Sequence, residues 1–280
     1  MGSVFDAMKK HQAEMAARQG RPSDTRTLQS QEGQKHAAAA VPPAEVEIRA
    51  WESCELRANG YSELVVSHHD HGADVTEEYR GLRTSLLASK KEDRLRLVVT
   101  SAETGEGKTV TTLNLAVVLA ERIDQRTIVV DCDLRRPSIS RLLNAPNDRG
   151  VADVFQGSAT LEEVIQPTAY PNLFLIPAGP TSGAPVGELI ARTTMNETLR
   201  RLGNEYDHVL VDTPPLNRFA DACQVGRATG SALVVVRMYK TKREPVEKAI
   251  RLLRAGNVEI SGMVLTHRKK YIPKYLYRYS

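Results

Sequence analysis

The stretch SAETGEGKT, residues 101–109, joins an apolar run to helix-forming sequence through two glycines, a lysine and a threonine. With four residues between Ala102 and Gly107-Lys108-Thr109, it fits a phosphate-cradling loop. Backbone N–H groups around Gly105–Lys108 would point at a β-phosphate, helped by the positive end of the following helix. The binding residues would be Thr104, Gly105, Glu106, Gly107, Lys108, Thr109 and Val110. Lys108 would reach the outer phosphates, and the Thr109 hydroxyl would ligate Mg²⁺. A second stretch, TIVVDCDLRRPS at 127–138, delivers Asp131 and Asp133 to the end of an apolar run. Two acidic residues flanking one position can face a metal or a nucleophile together. Arg135 and Arg136 follow, suited to phosphate or carboxylate contact. The plainer reading is an Asp-rich turn capping a helix from Pro137 onward. A third stretch, HVLVDTPPL at 208–216, brings Asp212 to a strand end, where a carboxylate holds Mg²⁺ through water.

These residues need a scaffold that gathers them, and the rest of the pattern supplies one. Short apolar runs at 95–100, 127–131, 172–179, 208–212, 232–237 and 259–266 read as strands. Helical sequence separates them at 109–123, 187–202 and 243–255, and a further helix at 72–88 precedes the first. Near-continuous Val, Leu and Ile runs alternating with helices predict a mostly parallel sheet buried on both faces. The fold class is α/β, with helices on both faces. In such a sheet the C-terminal strand edge carries the ligand site. Residues 61–280 form the domain. Residues 1–60 read as a flexible segment with a possible short helix at 3–18, a polar linker at 19–43, and an arm around Trp51.

The chain of 280 residues is 41% hydrophobic and 26% charged, with a net charge of +4. Its three cysteines, Cys54, Cys132 and Cys223, are far apart, without metal or disulfide spacing, which points to a reducing compartment. No apolar run approaches the ~20 residues of a membrane span. The ending HRKKYIPKYLYRYS holds four of the nine tyrosines, Tyr271, Tyr275, Tyr277 and Tyr279, interleaved with five Lys/Arg. Taken alone, such a basic aromatic segment suits nucleic acid or an anionic membrane.

The three strand-end motifs together, with EEYRGLRTSL upstream, resemble the cytoplasmic domain of bacterial tyrosine autokinases, a family associated with capsule and exopolysaccharide production. The resemblance covers about residues 72–280. It implies a P-loop fold of the partition and cell-division ATPase type, and transfer of the ATP γ-phosphoryl to tyrosines of the C-terminal cluster on a neighbouring subunit. It implies ATP and Mg²⁺ as cofactors, with Thr109, Asp133 and Asp212 on the metal and Asp131 or Asp133 taking the phenol proton. Glu77, Arg80 and Arg83 fit the family's E-x-x-R-x-x-R helix, which the resemblance implies contacts a neighbouring subunit; on spacing alone they would be a solvated charged flank. A transmembrane activator, a homo-oligomer, a tyrosine phosphatase, and recruitment to the inner face of the plasma membrane are implied, and nucleic acid is not expected. The rival is a partition-type ATPase switch whose basic tail binds DNA or membrane. Its signature lysine, five residues before the loop lysine, is replaced here by Glu103. Thr104 stands where the family usually has Pro, and Thr266 where an Asn often helps read adenine. Phosphorylation would swing the tail from basic toward acidic, and repulsion from Asp131, Asp133 and Asp212 would then expel it from its groove.

Overall fold

The computed structural model describes residues 60–88 and 93–268, which fall within one compact unit. The expected helix at 3–18, the linker, Trp51 and the four tail tyrosines lie outside the described residues. Seven strands form the sheet: β1 (Leu95–Ser101), β2 (Thr127–Asp131), β3 (Gln166–Pro167), β4 (Leu173–Ile176), β5 (His208–Asp212), β6 (Ser231–Arg237) and β7 (Glu259–Thr266). Their spatial order is β3-β4-β2-β5-β1-β6-β7, parallel throughout except for β3 against β4. The helices are α1 (Val66–His69), α2 (Asp74–Ala88), α3 (Lys108–Ala120), α4 (Ile139–Leu142), α5 (Val151–Gln156), α6 (Leu161–Val164), α7 (Val186–Ala191), α8 (Thr193–Glu205), α9 (Asp221–Thr229) and α10 (Arg243–Ala255).

Alternation along each strand divides the core into two layers. Leu95, Leu97 and Val99 of β1, Val129 of β2 and Leu210 of β5 face α3 and the segment around Tyr61 and Val65. Val98, Ile128, Val130, Val209 and Val211 face the opposite layer, which contains α5, α7, α8, α9 and α10. Both faces are covered, so the strands read as continuous apolar runs rather than alternating ones.

The single helix expected over 187–202 is two helices. Arg192 breaks it with an extended backbone, φ −69° and ψ 149°, and its guanidinium meets the Phe155 and Gln156 carbonyls at the end of α5. Val75 in the first turn of α2 is 44% exposed, while the polar Thr76 beside it is buried.

Helix α3 is apolar almost all round because it is enclosed. The sheet lies on one side, and α1 and α2 lie on the other. Asn114, the polar residue in its middle, fastens the α1 segment. Its Oδ1 accepts the Ser67 N–H at 2.9 Å, and its Nδ2 donates to the Leu64 carbonyl at 2.9 Å and the Val110 carbonyl at 2.8 Å. Replacing Asn114 with Ala leaves the Ser67 N–H and Leu64 C=O without these partners. A loss of about 2 kcal/mol is expected, read as a lower urea midpoint together with faster limited proteolysis within residues 60–72. An unchanged midpoint and cleavage rate would show that the segment does not rest on Asn114.

Candidate active site

The strand register builds the site. Asp131 at the end of β2 pairs with Asp212 at the end of β5, and Asp212 pairs across to Val99 of β1, just before the glycine loop. The three motifs therefore meet at one edge because β2, β5 and β1 are neighbours. In the loop, Gly105 and Gly107 have φ of 79° and 94°, a left-handed backbone that favours glycine. A Cβ at Gly105 would meet nothing within 4 Å, so the conformation, not crowding, demands glycine there.

Lys108 Nζ lies 2.8 Å from Asp133 Oδ2 and 3.2 Å from Asp212 Oδ2. The Thr109 hydroxyl donates to Asp212 Oδ2 at 2.7 Å and accepts from the Ser138 hydroxyl at 3.3 Å. Burial works against the charge on Lys108, but the Asp212 and Asp133 carboxylates outweigh it and hold the ammonium well above its ordinary value. Burial raises Asp212 above the usual carboxylate range in spite of Lys108 and Thr109. Burial, then the Asp212 carboxylate, push Asp131 up to about 7.

The two acidic residues of the second motif differ in role. Asp131 is fully buried. Its Oδ2 accepts the Ser138 and Ile139 N–H groups at the start of α4, and its Oδ1 accepts the Asp133 N–H. The capping reading thus applies to a side chain that the sequence also offered as a candidate base. Asp133 lines the cavity beside Lys108, and its Oδ1 accepts the Arg136 N–H. The cavity, about 390 Å³, is also lined by Thr104, Gly105, Gly107, Thr109 and Val110. Thr109, Asp133 and Asp212 offer hard oxygen donors, which suit Mg²⁺. Among the described residues no three His, Cys, Asp or Glu side chains converge into a closed cage. Mg²⁺ does not require one, since it keeps waters and substrate oxygens.

Residues 96–242 match the AAA domain family. Tyrosine-protein kinase YwqD of Bacillus subtilis is 30% identical over 195 residues, covering 69% of this chain and 81% of YwqD. Tyrosine-protein kinase etk of Escherichia coli is 34% identical over 198 residues, 70% of this chain but 27% of its own length. The solved kinase domain of that protein superposes with a TM-score of 0.68 at 30% identity, covering 75% of this chain and 83% of the domain. The chain belongs to the bacterial tyrosine-protein kinases. The fold also extends to the septum site-determining protein MinD of Pyrococcus horikoshii, solved with Mg-ADP (TM-score 0.52, 25% identity, 65% of this chain and 75% of MinD). Nucleotide binding with a metal ion is the common property of this fold.

Several side chains of the kinase depart from their sequence reading. Glu106 contributes no side chain to the cavity. It is 2% exposed, and its carboxylate accepts the Glu103 N–H at 2.6 Å, the Arg237 N–H at 3.3 Å and the Thr241 hydroxyl. It braces the glycine loop against the end of β6. Thr266 donates to the Glu106 carbonyl at 2.7 Å, bracing the same loop from β7, and does not line the cavity. Arg135 pairs with Asp221 at 2.9 Å and stacks over Phe219 at 4.1 Å while it lines the cavity together with Arg136. Arg80 and Arg83 turn inward to Glu121, just past the end of α3, and Arg83 also donates to the Val118 carbonyl. Glu77, 63% exposed, pairs with Arg80 while remaining open to solvent.

Among the described residues, Asp131, Asp133 and Asp212 do not form an open acidic groove. The three carboxylates are buried behind Lys108, and the cavity mouth carries Arg135, Arg136, Arg141 and Arg218. Sequence reasoning passed over Arg141, Arg218, Ser138, Asn114 and the apolar wall of Leu64, Leu142 and Phe219. Only RRPSISR, with three arginines close behind Asp133, hinted at the basic mouth.

This geometry also makes Lys108 the counter-charge of a buried acidic site. Without it, Asp131, Asp133 and Asp212 share a buried site without their cation. Lys108→Met should therefore abolish phosphorylation and also lower the stability of the nucleotide-free protein by about 3 kcal/mol near pH 8. Carboxylates raised in the folded state bind more protons there than when unfolded. Stability then falls as pH rises from about 4 through the folded value, about 7 for Asp131 even with Lys108 present. The deficit relative to wild type should shrink at pH 5, as read by urea unfolding at both pH values. An equal deficit at both would show that the carboxylates do not depend on Lys108.

Proposed function

We propose that this kinase transfers the γ-phosphoryl of ATP to Tyr271, Tyr275, Tyr277 and Tyr279 on a neighbouring copy, in the control of capsule or exopolysaccharide synthesis or export. The observation that carries the reading is the convergence of Lys108, Thr109, Asp133 and Asp212 at the strand edge of a chain related to tyrosine-protein kinases over most of YwqD's length.

In this reading the loop N–H groups and Lys108 bind the phosphates, the ammonium exchanging its carboxylate partners for phosphate oxygens. Thr109, Asp133 and Asp212 would hold Mg²⁺, which would neutralise charge on the phosphates. The tyrosine Oη forms the new bond to phosphorus, the bond to the bridging oxygen of ADP breaks, and the phenol proton passes to the Asp131–Asp133 pair. A phenol of pKa about 10 is almost wholly protonated at neutral pH, so a base is needed. The raised Asp131 is better matched to that proton than an ordinary carboxylate. Positioning and electrostatics do most of the work in phosphoryl transfer.

The partition-type switch is disfavoured by its missing lysine. Glu103 accepts instead from Asn217 at 3.3 Å within its own chain. From the family resemblance, a transmembrane activator would recruit the kinase to the inner face of the plasma membrane, and a phosphatase would reverse the modification. Subunit contact through α2 falls to Glu77, the exposed member of its trio.

Two experiments test this. Incubation with Mg-ATP and the activator, followed by mass spectrometry of residues 267–280, should find phosphate on the cluster. Simultaneous Tyr→Phe at 271, 275, 277 and 279 should remove at least 90% of the anti-phosphotyrosine signal (roughly tenfold). Wild-type tails that stay unmodified would refute the assignment. In light scattering, Glu77→Lys should shift the oligomer toward smaller species with the urea midpoint unchanged. An unmoved distribution, in a wild type that oligomerises, would return Glu77 to plain surface.

A further inference from the structure

The charge of the chain is unevenly placed. Residues 237–268, from the end of β6 through α10 and β7, hold eight Lys/Arg and three Glu, whereas residues 1–236 are net acidic. Glu247 is shared by Arg243 and Arg251, at 2.6 and 4.0 Å. Arg237, Lys240, Lys242 and Arg268 have no carboxylate in ion-pair reach among the described residues, and the last three are exposed. Burial first, then the nearby Arg237 and Lys240, hold the His267 pKa below its ordinary value, so these cations crowd one corner of the fold.

Apolar side chains are exposed among them. Of the seven large apolar residues exposed in the described chain, Tyr239, Leu252, Met263 and Leu265 belong to this segment. Met263 and Leu265, 54% and 58% exposed, are two apart on β7 and so project from one face of that strand. β7 is the edge of the sheet. The Met238 N–H donates to the Thr266 carbonyl, which ties the turn bearing Tyr239 to the end of β7. Tyr239 and His267 have φ of 60° and 59°, a backbone uncommon for residues other than glycine. Backbone of this kind persists where its surroundings impose it, and it often marks a functional surface.

The make-up of the patch discriminates among occupants. Nucleic acid would use the cations but would gain little from Met263 and Leu265, which neither stack nor hydrogen-bond. A neutral protein groove would use the apolar side chains and leave the cations unmatched. An anionic bilayer surface uses both, since headgroups attract Lys and Arg while apolar and aromatic side chains enter the acyl boundary. No helix among the described residues is long and apolar enough to cross a membrane, so the contact would be peripheral. At headgroup depth the outward N–H and C=O groups of an edge strand keep their water.

We propose that the β7 edge and the turn before α10 form a peripheral docking face for an anionic phospholipid bilayer. Lys240, Lys242 and Arg268 meet the headgroups, and Tyr239, Met263 and Leu265 rest at the acyl boundary. The face adjoins the nucleotide loop, because Thr266 at the end of β7 donates to the Glu106 carbonyl. Lipid contact of this kind acts beside a protein activator and does not depend on which tyrosines are phosphorylated.

The test is flotation of the full chain with vesicles of phosphatidylcholine, either alone or with a third of the lipid as phosphatidylserine. At about 0.1 M salt the wild type should bind the anionic vesicles about tenfold more than the neutral ones, and should lose that binding at about 0.5 M. Lys240→Glu with Lys242→Glu should lower binding to the anionic vesicles about tenfold. Met263→Gln with Leu265→Gln should lower it several-fold while keeping its salt dependence. Both pairs change exposed residues, leave residues 269–280 untouched, and should keep the urea midpoint. No binding to either vesicle, or equal binding to both, overturns the proposal. So does wild-type binding by either pair, which would assign the attachment to other residues. Tighter binding of duplex DNA than of the anionic vesicles, unchanged by the Gln pair, would make the face a nucleic-acid surface instead.

Discussion

The ammonium of Lys108, 2.8 Å from Asp133 and 3.2 Å from Asp212, neutralises a group of carboxylates that the sheet edge would otherwise bury without a counter-charge. Burying an ion costs several kcal/mol unless a partner offsets it, so the strand ends, the glycine loop and Lys108 are interdependent. The loop must stay where it is because its lysine balances charges on β2 and β5, and those charges are tolerated because the loop is there. Thr109, Asp133 and Asp212 would hold a metal at this edge, and Lys108 would meet the phosphates of a nucleotide.

The supports of the loop stand apart from these groups. Glu106 ties it to the end of β6, Thr266 ties the Glu106 carbonyl to β7, and Asn114 ties α3 to the segment before α1. These bonds lie on the inner side of the loop, so phosphate can enter from the cavity without breaking them. Arg80 and Arg83 hold α2 onto Glu121 just past the far end of α3. The phosphate-binding helix is thereby fixed at both ends, and the outer surface of α2 remains open through Glu77.

The mouth of the site follows a different rule from its floor. The floor is acidic and buried, the mouth basic and exposed, and a shelf of proline, leucine and phenylalanine side chains separates neither from solvent completely. The buried charges of the floor interact strongly with one another, whereas those at the mouth act at higher dielectric and with more screening.

Much was legible in the sequence. The three motifs and the mostly parallel sheet follow from apolar runs and strand-end acids, because local spacing and burial on both faces leave few alternatives; the strand order that sets β5 between β2 and β1 came from the tertiary structure. What local pattern cannot express is which partner a polar side chain finds across the fold. Asp131 caps α4 through residues seven and eight positions away, Glu106 reaches Arg237 and Thr241, Arg80 and Arg83 find Glu121, and Arg135 is claimed by Asp221. The split at Arg192 and the exposure of Val75 have the same origin, since each is set by what packs against it. Sequence by itself determined the kind of chemistry and the elements that carry it. Only the tertiary structure decided which arginines are spent on structure and which are left facing the cavity, because that depends on carboxylates brought close by packing rather than by position in the chain.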